Sequence, residues 1–133
     1  MNDAHGDIDF KLDKNIVCVT LIGPFNGAGV VEWTQKLQQI IIGFEGKPFF
    51  VLMNNTDYEG FTPEAFQIAD DFNFWLNDQT MVVKAIIQPS LLAKEMNIKN
   101  IPALAGQRIE YFDNKHDAIS WLRTLPEYLN YLD

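Results

Sequence analysis

Apolar and polar positions alternate along this chain in two distinct periods. Phe49-Phe50-Val51-Leu52-Met53 is apolar at every position, so as a short strand it needs cover on both faces, as central parallel strands do. A polar hinge, Asn54-Asn55-Thr56-Asp57-Tyr58-Glu59-Gly60, follows it. Thr62-Pro63-Glu64 then gives a helix start, a capping hydroxyl ahead of a proline in the first turn. Ala65, Ile68, Ala69, Phe72 and Leu76 recur behind it at helical spacing. Strand, polar turn and helix form the unit around which the other segments are organised.

Ile8-Asp9-Phe10-Lys11-Leu12 alternates as an edge strand with one wet face. Asp13-Lys14-Asn15 turns the chain, and the β-branched run Ile16–Ile22 pairs back as an antiparallel hairpin. Gly23-Pro24-Phe25 ends that strand, and Asn26 is placed to cap a helix whose stripe is Val30, Trp33, Leu37, Ile40, Ile41 and Phe44. Met81–Ile87 is the next strand. Ser90 caps a short helix through Met96, and an irregular connection follows to Gln107. Arg108–Phe112 is the last strand, and a final helix turns Ala118, Ile119, Leu122 and Leu125 inward before Pro126 breaks it. This order predicts an α/β fold: a mixed, mostly parallel sheet of about five strands with right-handed crossovers and helices packed on it.

With 133 residues, 47% of them hydrophobic and 21% charged, the expectation is one globular domain spanning residues 1–133. No apolar run approaches the ~20 residues of a spanning helix. The segment Met1–Asp7 lacks the basic and apolar regions of a signal peptide, so a cytoplasmic protein without membrane insertion is expected. Cys18 is the single cysteine and excludes an internal disulfide. The net charge of −8, from 10 basic and 18 acidic residues, disfavours nucleic acid and anionic lipid as partners.

Three passages carry a family resemblance: Leu21-Ile22-Gly23-Pro24-Phe25-Asn26 with Trp33 downstream, Tyr58-Glu59-Gly60-Phe61-Thr62-Pro63-Glu64-Ala65, and Ala118-Ile119-Ser120-Trp121-Leu122. Together they resemble the SpoIIAA-like proteins, small bacterial relatives of the STAS domain, and in particular their uncharacterised branch. The resemblance implies a β-α superhelix with a mixed sheet. For the anti-sigma-factor antagonists of that family it also implies a phosphorylatable Ser, in an Asp-Ser-Ser-Gly-like motif, at the start of the helix after the central strand. No Ser occurs between Asn54 and Thr62 here, and Thr62 is the hydroxyl nearest the expected place.

Open α/β sheets place ligands at the C-terminal ends of their parallel strands. That rim collects Asn26, Asn54, Asn55, Thr56, Tyr58, Thr62, Gln88 and Ser90, as a polar ligand or partner edge. The same residue types also serve as caps and turn formers. Gly23–Gly29 stands where a phosphate cradle would, yet it matches no nucleotide motif, and helix-start glycine explains it as well. Thr62 is the candidate phosphate acceptor, although its hydroxyl is also the natural cap of its helix. Phe74 projects on the wet face of the second helix with Phe66 beside it. That pair suggests either an interface, such as one between two copies, or singly exposed apolar residues.

Leu91–Ile98, with Ile101 and Leu104, reads either as a lid over an apolar cavity or as packed core. Trp33, Trp75 and Trp121 fall on apolar stripes. His5 lies in a loose tail, and neither it nor His116 belongs to a metal-spaced set. No nucleophile-and-base arrangement stands out, so no catalytic residue, metal or cofactor is expected. The chain reads as a non-enzymatic regulatory module that binds a protein partner or a second copy. The alternative is a small-molecule or lipid carrier with an apolar pocket under residues 91–104.

Overall fold

The apolar runs become the middle of a five-stranded sheet in the order β1-β2-β3-β4-β5. In the computed structural model, which describes residues 3–132, the strands are Asp7–Asp13 (β1), Ile16–Phe25 (β2), Phe49–Phe61 (β3), Met81–Ile87 (β4) and Ile109–Phe112 (β5). The helices are Gly27–Ile42 (α1), Pro63–Leu76 (α2), Leu91–Asn100 (α3), Lys115–Leu122 (α4) and Pro126–Leu129 (α5). A 3₁₀ turn, Pro102–Gly106, joins α3 to β5. Met1 and Asn2, part of the segment read against a signal peptide, lie outside the described residues. No helix among the described residues is long and apolar enough to cross a membrane.

β1 pairs antiparallel with β2, and every other neighbouring pair is parallel. Each new parallel strand is laid on the same side of the last, so crossovers of one hand bring α1, α2 and α3 to one face of the sheet. The chain after β5 covers the other face with α4. The all-apolar run of β3 serves both. Phe49, Val51 and Met53 pack with Val30 and Trp33 of α1 and Ala69 of α2, whereas Phe50 and Leu52 pack with Ala118 and Leu122 of α4. None of the five is more than 7% exposed.

Four segments differ from the sequence expectation. β2 does not stop at Gly23 but continues to Phe25. Pro24 falls in a register shift and past the last β1 pairing, Asp7 with Ile22, where its missing N–H removes no ladder bond. The polar hinge after Met53 is not a turn but strand, since β3 continues through Asn55, Tyr58 and Gly60 to Phe61. The irregular connection after Met96 is helix through Asn100 and then the 3₁₀ turn.

The fourth is the N-terminal tail, which is fastened rather than loose. Asn26 Oδ1 accepts from His5 N (2.9 Å) and Gly29 N (2.9 Å), and its Nδ2 donates to Asp3 O (2.7 Å). A Cβ on Gly29 would lie 2.1 Å from His5 O. This glycine therefore admits the tail against the start of α1, and Asn26 ties the two together.

Asn15 holds the opposite end of the sheet. It is fully buried, and its Nδ2 donates to Pro48 O (2.9 Å) and Glu127 O (3.0 Å), joining the β1–β2 turn, the entry to β3 and α5. Asn15→Ala removes both bonds and strands two carbonyls. At about 1 kcal/mol per bond, the loss should be roughly 2 kcal/mol, read as a lower urea midpoint with an unchanged slope.

Candidate functional site

The long β3 builds the site through its irregularities. Along Phe49, Val51, Met53 and Asn55 the odd positions face α1 and α2. In the pairing with β2, Thr20 meets Asn54 and Ile22 meets Asp57, so β3 carries one extra residue there. Such a bulge reverses the parity of the residues beyond it, and Tyr58 rather than Asp57 turns inward. Asn55 and Tyr58 are 6% and 8% exposed. A second extra residue lies between Tyr58 and Phe61, where Gly60 takes φ +105°, a conformation that favours glycine.

Parity also determines the one charge in the core among the described residues. Val83, Ala85 and Ile87 of β4 face α4, so Lys84 faces α2. It is 4% exposed, and its Nζ donates to Asn73 Oδ1 on α2. Asn73 is itself fixed: its Nδ2 donates to Ala69 O (2.8 Å), and its Oδ1 also accepts from Gln107 Nε2 (3.1 Å). Among the described residues, no carboxylate lies within ion-pairing distance of Lys84; the recorded pair is Arg123 with Asp13. Burial without a counter-charge pulls the lysine down to about 7.

Lys84 lines a cavity of about 50 Å³ between the sheet, α1, α2 and the segment after α3. Its lining includes the apolar Leu37, Val51, Leu76, Ile86, Ile101 and Leu104 and the polar Lys84, Asn73, Asn55, Tyr58 and Asn97. A water needs about 10–15 Å³ counted in this way, so the space suits a few waters or a ligand of about four to six non-hydrogen atoms. A fatty acid, which takes a pocket of roughly 300 Å³ or more, does not fit in this form. Of the lining residues, Asn55 Oδ1 and Trp33 Nε1 are buried without protein partners, and each such group calls for an explanation.

Tyr58 OH donates to Asn97 Oδ1 of α3 (3.0 Å), and burial pushes the phenol upward. Both residues also line an outer groove of about 300 Å³, with Phe61, Phe66, Leu92 and Met96. The Tyr58–Asn97 bond thus stands between the groove and the cavity. α3 buries none of its residues. Ala93 is partly buried against the core and Asn97 is half-buried, while Leu91, Leu92, Met96 and Ile98 are exposed. The core reading of Leu91–Ile98 therefore fails, whereas Ile101 and Leu104, just beyond, are buried on the cavity.

The rim residues separate into groups. Asn55 and Tyr58 enter the cavity. Asn54 Oδ1 accepts from Thr56 N (3.2 Å) and Oγ1 (2.6 Å), a local turn-like clasp. Asn26, Thr62 and Ser90 cap α1, α2 and α3. Thr62 Oγ1 accepts from Ala65 N (3.2 Å). Gln88 Oε1 accepts from Ser90 N (3.3 Å). Phe74 is 71% exposed, but Phe66 is half-buried and packs edge-on to Phe61 at 5.4 Å. Trp33 is buried, and Trp75 and Trp121 are half-buried.

Lys84, Asn73 and Asn97 are not among the sequence candidates. A lysine alone in the otherwise apolar heptad Met81–Ile87 is the one signal for the first. Asn73 and Asn97 carry none, because polar residues on a helix ordinarily mean a wet face.

A mixed five-stranded sheet with one antiparallel edge pair and helices on both faces defines this as a SpoIIAA-like α/β fold. An uncharacterized protein of the DUF3478 family with a SpoIIAA-like fold, from Shewanella loihica PV-4, superposes with a TM-score of 0.67 at 18% identity, over 92% of this chain and 97% of that one. The anti-sigma factor antagonist SpoIIAA in its unphosphorylated form gives a TM-score of 0.63 at 10% identity, over 91% of this chain and 100% of that one. No protein-family model matches the sequence, and neither does any curated protein.

Proposed function

We propose that this chain is a non-enzymatic, single-domain regulatory module of the cytoplasm that binds a small molecule in the Lys84 cavity. The observation that carries this reading is a buried amine without a counter-charge, in a space where Asn55 Oδ1 and Trp33 Nε1 also lack protein partners. Leaving such groups unpaired costs of order 1–3 kcal/mol each, and an occupant that pairs them recovers that energy. The outer groove is the entrance, and release of Asn97 by Tyr58 opens it. Ala69, which is buried and lines the cavity, gives the test. Neutral fragments of up to six heavy atoms should shift the amide signals of Val51, Ile86 and Leu104 in wild type. They should lose that effect in Ala69→Met, where the new side chain fills the space. Equal binding to both proteins would place the fragments elsewhere and end this reading.

A partner-docking role has its own support in the exposed Leu91, Leu92, Met96 and Ile98 of α3 beside the rim 55–62. SpoIIAA is an anti-sigma factor antagonist, and a protein partner for this chain fits that analogy. Leu92→Asp with Met96→Asp should abolish partner capture and leave thermal stability within about 0.5 kcal/mol, as surface changes do. Unaltered capture would shift attention to Phe74. There, sedimentation of wild type against Phe74→Asp separates a dimer from a monomer. A phosphate on Thr62 would compete with its capping bond, and that site belongs to the docking proposal only.

A further inference from the structure

We infer that the occupant of the cavity is a short-chain monocarboxylate whose head group pairs with Lys84 and whose carbon chain lies against Leu76, Ile86 and Leu104. This rests on the cavity being a ligand site and adds the chemical class.

Charge is the first argument. Among the described residues, Lys84 is the one basic residue lining the cavity, and no Asp or Glu lines it. An ammonium has three N–H donors, and one is taken, by Asn73 Oδ1. An acceptor with formal negative charge answers both deficits, since charge-assisted bonds are about twice as strong as neutral ones. The lining is the second. Leu76, Ile86 and Leu104 share the space with Lys84, so the matching molecule carries an aliphatic part as well as its acid group. Volume is the third: about 50 Å³ limits it to about four to six heavy atoms, the size of acetate to butyrate. The net charge of −8 does not decide against an anion, because exposed charges beyond about 8 Å are screened at physiological salt.

Binding carries a proton signature. Among the described residues, Tyr58 is the other titratable group lining the cavity, and its raised phenol remains neutral through the working range. Lys84 sits near 7 when the cavity has no anion. A carboxylate beside it favours the ammonium form, so at pH 8.5 binding draws a proton from the buffer.

The experiment is calorimetric titration of sodium butyrate, with butyramide as the neutral match, into wild type and Lys84→Met at pH 8.5. It is run in two buffers of different ionisation enthalpy. Butyrate should bind wild type at least tenfold more tightly than butyramide and take up close to one proton per ligand. Lys84→Met should lose at least tenfold for butyrate, a larger loss than for butyramide, and should abolish the proton uptake. Butyrate binding without proton uptake, or equally to both proteins, overturns the assignment. Butyramide binding where butyrate does not overturns the acid class and leaves the cavity reading standing. If neither binds wild type, both fall together.

Discussion

Lys84→Met is expected to be more stable than wild type at pH 6 by roughly 2–4 kcal/mol, with the gap closing below about 1 kcal/mol near pH 10. The lysine in the folded chain titrates near 7, against ~10.4 in an unfolded chain. Below both values the folded state must bury an ammonium, and the penalty is at its largest. Between them the unfolded state holds a proton that the folded state has released. Stability therefore rises with pH across this window. Methionine has no proton to exchange and suits the surrounding side chains, and buried charges replaced by apolar groups often stabilise. Asn73 Oδ1 keeps its bond from Gln107 in the variant, so no new orphan appears. Urea unfolding of both proteins at pH 6, 8 and 10 decides the matter. Parallel pH profiles, or a variant weaker at pH 6, would show that Lys84 is not buried as described. A protein that keeps a destabilising lysine in its core retains it for a reason other than folding, which is why the cavity is read as a binding site.

Phe50→Ala should lower stability by about 3–5 kcal/mol, the usual range for a phenylalanine removed from a packed core. Phe50 is 0% exposed and lies with Leu52, Ala85 and Leu122 on the α4 side of the sheet. Phe74→Ala should change stability by no more than about 0.5 kcal/mol, since that ring is 71% exposed. Chemical denaturation of the two variants checks the contrast. If Phe50→Ala proved as mild as Phe74→Ala, the two-sided burial of β3 would be wrong. The Lys84 cavity lies on the opposite face of the sheet, so any weakened but folded Phe50→Ala protein should still bind its ligand.

Local rules make several features of the site region readable from the order of residues alone. Asn26, Thr62 and Ser90 are recognisable as helix caps because a side-chain oxygen beside orphan amides is a local matter. Phe74 is legible as exposed from helical periodicity. The segment after Met53 is not legible in this way. Asn, Asp and Gly disfavour strand, yet pairing with β2 holds Asn54–Phe61 extended, with two bulges to accommodate them. Tertiary pairing overrides propensity there, and the bulge reverses which residues face inward. Leu91–Ile98 misleads in the opposite direction, since apolar residues on a helix read as core until a neighbouring face is found to be absent.

The sequence by itself determined most of the succession of strands and helices, the two-sided burial of Phe49–Met53 and a mixed α/β sheet, because period and capping depend on residues a few positions apart. The SpoIIAA-like class was legible only as a resemblance of three short passages. Only the tertiary structure decided that Lys84, Asn73, Tyr58 and Asn97 share one space. They come from four different elements, and their meeting depends on strand order, on parity along β4 and on one extra residue in β3. A buried charge has its meaning in what surrounds it, and those surroundings are assembled by long-range packing.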